Sequence, residues 1–328
     1  MAGAKNLTGA ECRQIVTTIR DVMRRFRVDL VSSVLEYDLR EAEWLGTFDG
    51  DVLFSKAWEP PTRSRTIDAA VIVLRLKRVA WAMSVASKLR GFRHKLRALR
   101  ALHVRAGAPQ GDAADEAAHG HAWALLFEIE LAAQLSREPL IVTFDEPDIV
   151  VSMPDGGGGL GLACKRPRKL TTVPGLVGDG VRQIAESGNL GVVALSLDLI
   201  VAQHRGAPQS WVIVKHDRET AAACDRVLGA TTQEIASRIG DVFRRTDQRA
   251  PHQMARVGGV LCVANLAVIA GLDGGGTYMN TKTVTSMIPL MDAEGSATTL
   301  AGIRDILALG QAEFRTDDWM HGSDRPAA

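Results

Sequence analysis

The sequence predicts an α/β protein in which a mixed β-sheet flanked by helices is preceded by an α-helical N-terminal domain. Apolar residues recur at helical spacing through most of the first 104 residues, whereas short apolar and β-branched runs alternate with helical segments after residue 120. Residues 106–120 between these regions are rich in alanine, glycine and polar side chains, which is typical of a linker. A helix followed by strands, a further helix and more strands indicates a mixed sheet.

Length and composition indicate a folded protein with room for one large domain or two ordinary ones. The chain has 328 residues, of which 46% are hydrophobic and 23% charged, and this balance excludes a disordered chain. Its four cysteines are scattered without paired spacing, which argues against a zinc knuckle or a disulfide framework. The first residues contain no apolar secretion signal, and no apolar run approaches the roughly 18 residues of a membrane span. We therefore expect a cytoplasmic protein with no membrane contact.

The N-terminal domain, residues 1–110, is predicted to consist of helices over 8–44 and 67–104, separated by a loop over 46–65. Residues 69–111 contain no aspartate or glutamate but many arginines and lysines. Such a run is either a solvated helix face or a surface for a polyanion, because charges of one sign do not neutralise one another. The domain would therefore bind nucleic acid, assemble subunits or receive an activating signal. The basic residues proposed for nucleic-acid contact here are Arg90, Arg93, Lys95 and Arg97.

Residues 120–315 are predicted to form the second domain, and the polar residues 316–328 a flexible tail. The strands of this domain are short runs rich in Val, Ile and Leu, and its helices have apolar residues three or four positions apart. The predicted helices cover residues 121–137, 176–187, 218–245 (interrupted near Gly229) and 298–309. The predicted strands cover residues 140–144, 148–153, 160–165, 191–197, 211–215 and 257–269.

The strands over 148–153 and 160–165 are joined by Pro-Asp and four glycines, which predicts a β-hairpin with a flexible tip. The glycine run is not a phosphate-binding P-loop, since the lysine and helix of that motif do not follow it. Asp148 opens the first strand and Lys165 closes the second, so antiparallel pairing would bring a carboxylate and an ammonium together at one edge of the sheet. The basic residues that follow, and that would bind backbone phosphates, are Arg166, Arg168 and Lys169.

The order of the predicted elements over residues 121–201, together with their motifs, resembles that of the PD-(D/E)XK nuclease superfamily. The matching features are a helix containing Phe-Glu, a strand opening with Pro147-Asp148, a hairpin, a strand ending in Cys-Lys-Arg-Pro, and a helix that carries a glutamine. The resemblance implies a restriction-endonuclease-like fold, in which a mixed sheet of four or five strands is flanked by helices. It also implies an endonuclease that uses Mg²⁺ or Mn²⁺ to hydrolyse phosphodiester bonds of DNA, with RNA as the alternative substrate. The implied setting is bacterial antiviral defence, with the chain as a homo-oligomer or as a subunit of a defence complex.

The resemblance assigns roles to individual residues of this chain. Asp148 corresponds to the metal-binding aspartate, and Glu128 to the glutamate that many members carry on the first core helix. Lys165 corresponds to the catalytic lysine that orients or deprotonates water, and Gln183 to a catalytic-site glutamine in the helix after the motif. Cys164 would offer its backbone carbonyl to the metal, because strand alternation turns its thiol to the opposite face from Lys165.

The chain departs from the family at Ala163, the catalytic and metal-binding position at which members carry an acid. A methyl group provides neither charge nor ligand, so metal affinity and hydrolysis should be strongly impaired. Three explanations are open. The acid was removed by engineering, or the chain is a naturally inactive nuclease that serves as a nucleic-acid-binding or scaffold subunit, or an acid elsewhere, Glu130 or Glu186, completes the site. The first is favoured because the other motif residues are all present.

Several of these residues also have an ordinary structural interpretation. Gln183 could be a surface residue of its helix, and the basic residues after Lys165 could be a solvated strand end. Glu128 and Glu130 lie two residues apart on one helix, so at most one of them is expected to face the sheet while the other faces solvent.

Overall fold

The computed structural model describes residues 7–31, 33–50, 63–101, 113–136, 140–152, 159–204, 211–214, 230, 233–235, 237–240, 256–271 and 277–289. Within these ranges the protein is mixed α/β, and seven strands form a single mixed sheet with helices packed against it. No helix in these ranges is sufficiently long and apolar to cross a membrane.

Five helices precede the sheet in the chain. They are α1 (Gly9–Arg25), α2 (Val34–Gly46), α3 (Arg63–Ala86), α4 (Phe92–Ala101) and α5 (Ala113–Leu135). The predicted helix over 8–44 is therefore two helices. α1 ends where Arg27 adopts a left-handed conformation, with φ of 55°, and the Val28 amide donates to the Met23 carbonyl at 2.9 Å.

The sheet combines an antiparallel meander with parallel strands. Its strands are β1 (Ile141–Thr143), β2 (Ile149–Ser152), β3 (Leu160–Lys165), β4 (Leu190–Ser196), β5 (Trp211–Val214), β6 (Val257–Gly271) and β7 (Thr277–Pro289). β1, β2 and β3 pair antiparallel in that order, whereas β4 is parallel to β3 and β6 is parallel to β4. β6 also pairs with β5 in parallel and with β7 antiparallel along its length. Helix α6 (Val173–Ser187) connects β3 to β4, and α7 (Asp198–His204) follows β4.

Alternate residues of the central strands face two different apolar clusters. Leu162 and Cys164 of β3 pack into a cluster with α1 to α5, whereas Ala163 packs into a cluster with residues of α6 and α7. The N-terminal helices and one face of the sheet therefore share a continuous core. In addition, α5 begins at Ala113, within the segment 106–120 that the sequence indicates as a linker.

Most of the predicted elements have counterparts in the structure. β3 has the predicted bounds, α6 begins three residues earlier than predicted, and β6 extends two residues further. Two elements, β7 and α7, are not predicted from the sequence. In β7, threonines, an asparagine and a lysine interrupt the apolar pattern of a buried strand. The hairpin tip, most of the predicted helix over 218–245, the helix over 298–309 and the tail lie outside the described residues.

A glycine turn separates α3 from α4 and attaches α4 to the sheet. Gly91 has φ of 84°, and a Cβ atom at this position would overlap the backbone of Phe144. The Phe144 amide donates to the Arg90 carbonyl at 2.9 Å, so the start of α4 is fixed beside the end of β1. The sequence predicts one continuous helix here, since a single glycine is tolerated in a helical pattern.

We expect Gly91→Ala to lower the free energy of unfolding by about 1–3 kcal/mol, because the substitution combines an unfavourable φ with a backbone overlap. Urea denaturation followed by circular dichroism measures the change. Gly178→Ala is the matched control: Gly178 is an exposed residue inside α6 with no atom near its would-be Cβ, so alanine should stabilise by roughly 0.5–1 kcal/mol. Equal effects at both positions would contradict the role of Gly91.

Candidate active site

The candidate site lies where strands β2 and β3 separate. Their last paired residues are Ile149 and Leu162, so β3 continues for three residues without β2 beside it. Asp148 precedes β2, and its Oδ2 accepts a hydrogen bond of 2.8 Å from the amide of Cys164. This bond satisfies a buried amide that the departing strand leaves unpaired. Because an amide and carbonyl of one strand residue point to the same edge, the Cys164 carbonyl also faces this fork.

Gln183 of α6 holds Lys165 and Asp148 together. The Lys165 Nζ atom donates to Gln183 Oε1 at 2.6 Å and lies 3.9 Å from Asp148 Oδ2. The Gln183 Nε2 atom donates to Asp148 Oδ1 at 3.2 Å and to the carbonyl of Pro147. The structure thus brings together three of the residues that the motif predicts, and Gln183 is not an ordinary surface residue of its helix.

Glu128 of α5 enters the same site through Lys95 of α4. The Lys95 Nζ atom donates to Glu128 Oε2 at 2.6 Å and lies 3.8 Å from Asp148 Oδ1. The Lys95 ammonium therefore stands between the two carboxylates that the nuclease resemblance assigns to a metal ion. Sequence reasoning missed this position and assigned Lys95 to the nucleic-acid surface.

A signal for the inward position of Lys95 is present in the sequence. The buried residues of α4 are Phe92, Leu96 and Leu99, and position 95 falls on the same side of the helix because it lies three residues after 92 and four before 99. Only 16% of the Lys95 side chain is exposed, whereas Arg93 is exposed. A lysine in an apolar stripe indicates a buried partner.

Burial controls the protonation of the carboxylates. Burial, and then the charge of Asp148, raise the pKa of Glu128 to about 7, although Lys95 acts in the opposite direction. Burial also raises the pKa of Asp148, against the lowering effects of Lys165 and Lys95. Burial alone would lower the pKa of Lys95. The charge and hydrogen bond of Glu128, together with the charge of Asp148, outweigh burial and raise this pKa. The two ammonium groups therefore oppose the effect of burial, but with a pKa of about 7 Glu128 is still about half protonated at neutral pH.

Ala163 lies on the same face of β3 as Lys165 but is buried in the apolar core beneath α6. Its side chain is fully buried in the cluster that contains Val181 and Val193. A Cβ atom on Gly180 of α6 would lie 2.9 Å from a methyl group of Val193 of β4 and in ordinary contact, at 3.5 Å, with the Ala163 Cβ, so glycine lets α6 pack closely over β4 and directly over Ala163. A glutamate at position 163 would therefore have to enter this apolar core or displace α6.

Neither of the alternative acids completes the site. Glu186 is exposed on α6 and forms no ion pair among the described residues. Glu130 pairs with Arg78 of α3 in a separate cluster. The expectation that only one of Glu128 and Glu130 faces the protein interior is wrong, since both residues are only 7% exposed. α5 packs against α3 and α4 as well as against the sheet, so residues on opposite sides of this helix are both buried.

The remaining basic candidates divide between the surface and the interior. The exposed ones are Arg90, Arg93, Arg97 and Lys169. Arg166 and Arg168 are partly buried at the end of β3. Strand alternation turns Arg166 to the face opposite Lys165, where it lies beside Glu130 and Asp198. The exposed arginines of α4 lie on the helix that supplies Lys95 to the candidate site.

The oxygen donors of the site fit a divalent cation that keeps part of its water. Asp148, Glu128 and the Cys164 carbonyl are hard oxygen ligands, and Mg²⁺ commonly binds through one or two carboxylates plus water. No group of three or more His, Cys, Asp or Glu side chains within the described part of the chain is arranged to hold a metal. Water would therefore complete the coordination, and the Lys95 ammonium would have to leave the carboxylates.

Comparison with known proteins found no matching family model, no matching curated protein and no matching solved structure. The functional interpretation therefore depends on the residues and geometry of this chain. The resemblance to nucleases remains a prediction from the order of its elements and motifs.

We expect Ala163→Glu to lower the free energy of unfolding by about 3 kcal/mol or more, since it places a carboxylate and extra volume between β3 and α6. Urea denaturation measures this change. Ala10→Glu, at an exposed position in the first turn of α1, is the control and should stay within about 0.5 kcal/mol of the native protein. Native stability together with stronger Mn²⁺ binding in Ala163→Glu would instead support the loss of an acid from this position.

Proposed function

We propose that the protein is a divalent-cation-dependent nuclease that hydrolyses phosphodiester bonds of DNA. One observation carries this proposal: Asp148, Lys165 and Gln183, which come from three different elements, form a connected hydrogen-bonded group at a fork in the sheet. Glu128 adds a second carboxylate to the same group through Lys95. This convergence supports the roles that the sequence motif predicts for these residues.

Each residue of the group has a defined task in this proposal. A cation bound at Asp148, Glu128 and the Cys164 carbonyl would supply an activated water and neutralise charge at the phosphate. Lys165, oriented by its hydrogen bond to Gln183, would align that water or donate to the phosphoryl oxygens. Gln183 would fix the position of Lys165 relative to Asp148, since its side-chain amide hydrogen-bonds to both residues.

The surface beside the site suits a nucleic-acid backbone. Arg93 and Arg97 are exposed on α4, and the same helix turns Lys95 into the site. Arg90 is exposed at the turn that precedes this helix, and Lys169 is exposed after β3. Exposed cations of this kind bind phosphates without reading base sequence. The proposal therefore assigns sequence-independent binding to this surface.

A second candidate function is nucleic-acid binding without cleavage. Two observations favour it: Lys95 stands between the two carboxylates, and Ala163 is packed into the apolar core instead of supplying an acid. In this alternative, the internal ammonium replaces the metal permanently and the basic surface of α4 is retained. The two functions differ in whether the protein cleaves its ligand in the presence of Mg²⁺ or Mn²⁺.

The native protein should cleave plasmid DNA in Mg²⁺ or Mn²⁺, and Asp148→Asn and Lys165→Met should each reduce the rate by at least about a hundredfold. The rate is measured on supercoiled DNA and, in parallel, on RNA of similar length. Asp179→Asn provides the control, because Asp179 is an exposed acid of α6 that pairs only with Arg182 among the described residues. Its rate should equal that of the native protein.

The binding alternative predicts a different result for the same proteins. If the native protein binds DNA or RNA but cleaves neither substrate in the presence of Mg²⁺ or Mn²⁺, the nuclease proposal is wrong. Cleavage that persists in both Asp148→Asn and Lys165→Met would also contradict it, since the activity would then come from elsewhere.

Lys95→Met should increase the affinity for Mn²⁺ by about tenfold or more, because the variant removes the cation that competes for Glu128 and Asp148. Electron paramagnetic resonance of free Mn²⁺ measures binding without any need for activity. Arg93→Met, an exposed position on the same helix, is the control and should bind Mn²⁺ like the native protein. The titration is made well above pH 7, because loss of Lys95 raises the pKa of Glu128 further, and circular dichroism confirms that the variant is folded. Unchanged or weaker binding under these conditions would show that the two carboxylates do not form a cation site.

A further inference from the structure

A second polar cluster lies on the face of the sheet opposite Lys165 and Gln183, enclosed by α3 and α5. β3 and β4 end beside it, and β6 runs past it parallel to both. Open α/β sheets bind ligands at the carboxyl ends of their parallel strands. The side chains that line this cavity include Arg75, Arg78, Trp123, Arg166, Asp198 and Asn265.

The cavity coincides with a gap in the sheet. β6 pairs with β4 up to Val263 and with β5 from Ala267, so among the described residues no strand pairs with 264–266 on that edge. Asp198 fills part of the gap, because its Oδ1 atom accepts a hydrogen bond of 2.6 Å from the backbone amide of Asn265. The interruption leaves room for a polar group between the ends of the strands.

Among the side chains that line this cavity, positive charges outnumber negative ones. Three guanidinium groups face two carboxylates, those of Glu130 and Asp198. Arg78 pairs with Glu130, but Arg75 and Arg166 form no ion pair among the described residues. The Arg75 guanidinium instead lies over the Trp123 ring, with 3.6 Å between its central carbon and the ring centre. The buried carboxylate of Asp38 acts on Arg75 from outside the cavity lining. Arg166 and Arg78 therefore carry the local excess of positive charge, which would attract an anion.

An unsatisfied donor indicates the chemistry of such a ligand. The Arg78 side chain is only 5% exposed, and its buried Nε atom has no hydrogen-bond partner among the described residues. A buried N–H donor without a partner among the described residues is suited to an oxygen acceptor, and the neighbouring guanidinium groups of Arg75 and Arg166 favour an anionic one.

We propose that this cavity binds a phosphate group, with Arg75, Arg78 and Arg166 as its donors. Its enclosed volume of about 20 Å³ accepts one water-sized group, so one phosphoryl oxygen would enter while the rest of the phosphate stays at the mouth. Guanidinium groups match the oxygens of phosphate through paired N–H donors, and several of them suit its double charge better than a carboxylate. The site is separate from the proposed nuclease site and does not require cleavage.

Calorimetric titration of the full-length protein with inorganic phosphate, in the presence of EDTA, tests this proposal. Arg166→Gln removes one donor without breaking an ion pair and should weaken binding by about tenfold or more. Arg78→Lys retains a cation for Glu130 but lacks the Nε donor, and it should weaken binding to a similar extent. Arg182→Gln, at an exposed position of α6, should bind phosphate like the native protein. Circular dichroism confirms that each variant is folded.

Two further titrants identify the source of the phosphate: a nucleoside 5′-monophosphate, and an oligonucleotide with and without a 5′-phosphate. A preference for the phosphorylated oligonucleotide that disappears in Arg166→Gln assigns the site to a nucleic-acid end. Binding of the mononucleotide that depends on Arg166, without such a preference, assigns it to a free nucleotide. Absence of phosphate binding at about 10 mM, or native affinity in both Arg166→Gln and Arg78→Lys, overturns the proposal.

Discussion

The enclosure of α5 on all sides is the constraint on which both polar clusters depend. The helix packs against α3 and α4 on one side and against the first three strands on the other. Its two glutamates are therefore buried on different sides, and each must be matched by a cation because a buried unpaired carboxylate is strongly destabilising. Lys95 supplies the match for Glu128, and Arg78 supplies it for Glu130. The paired charges join α3 and α4 to the helix that covers the sheet.

The sequence reveals the local parts of this arrangement but not its long-range pairs. β3 and the strand fork at Asp148 follow from apolar patterning and turn residues close in sequence. Lys95 and Glu128 are 33 residues apart, and Arg78 and Glu130 are 52 residues apart, so no local pattern joins them. A run of basic residues is then interpreted as a surface, although two of its members are interior partners of acids. Only the apolar stripe of α4 marks Lys95 as an exception.

Position 163 illustrates why a motif on one strand does not define a site. Counting back from Lys165 identifies Ala163 as the place for an acid, and strand alternation places both on the same face of the sheet. What can occupy that position depends on α6, where Gly180 allows the helix to approach the strand and Val193 closes the space from β4. These contacts cannot be predicted from the residues next to position 163 in the sequence. Glu128, from the preceding helix, is the carboxylate that accompanies Asp148 instead.

The end of β3 contributes a residue to each of the two polar clusters, because Lys165 and Arg166 point to opposite faces of the sheet. The two clusters differ in their balance of charge. On one side two carboxylates are balanced by two ammonium groups, so an external cation can bind only when Lys95 withdraws. In the cavity beside Arg166, three guanidinium groups of the lining face two carboxylates, which favours the proposed anion. An anion bound near Arg166 would lower the positive potential at the end of the strand and thereby favour a cation at Asp148.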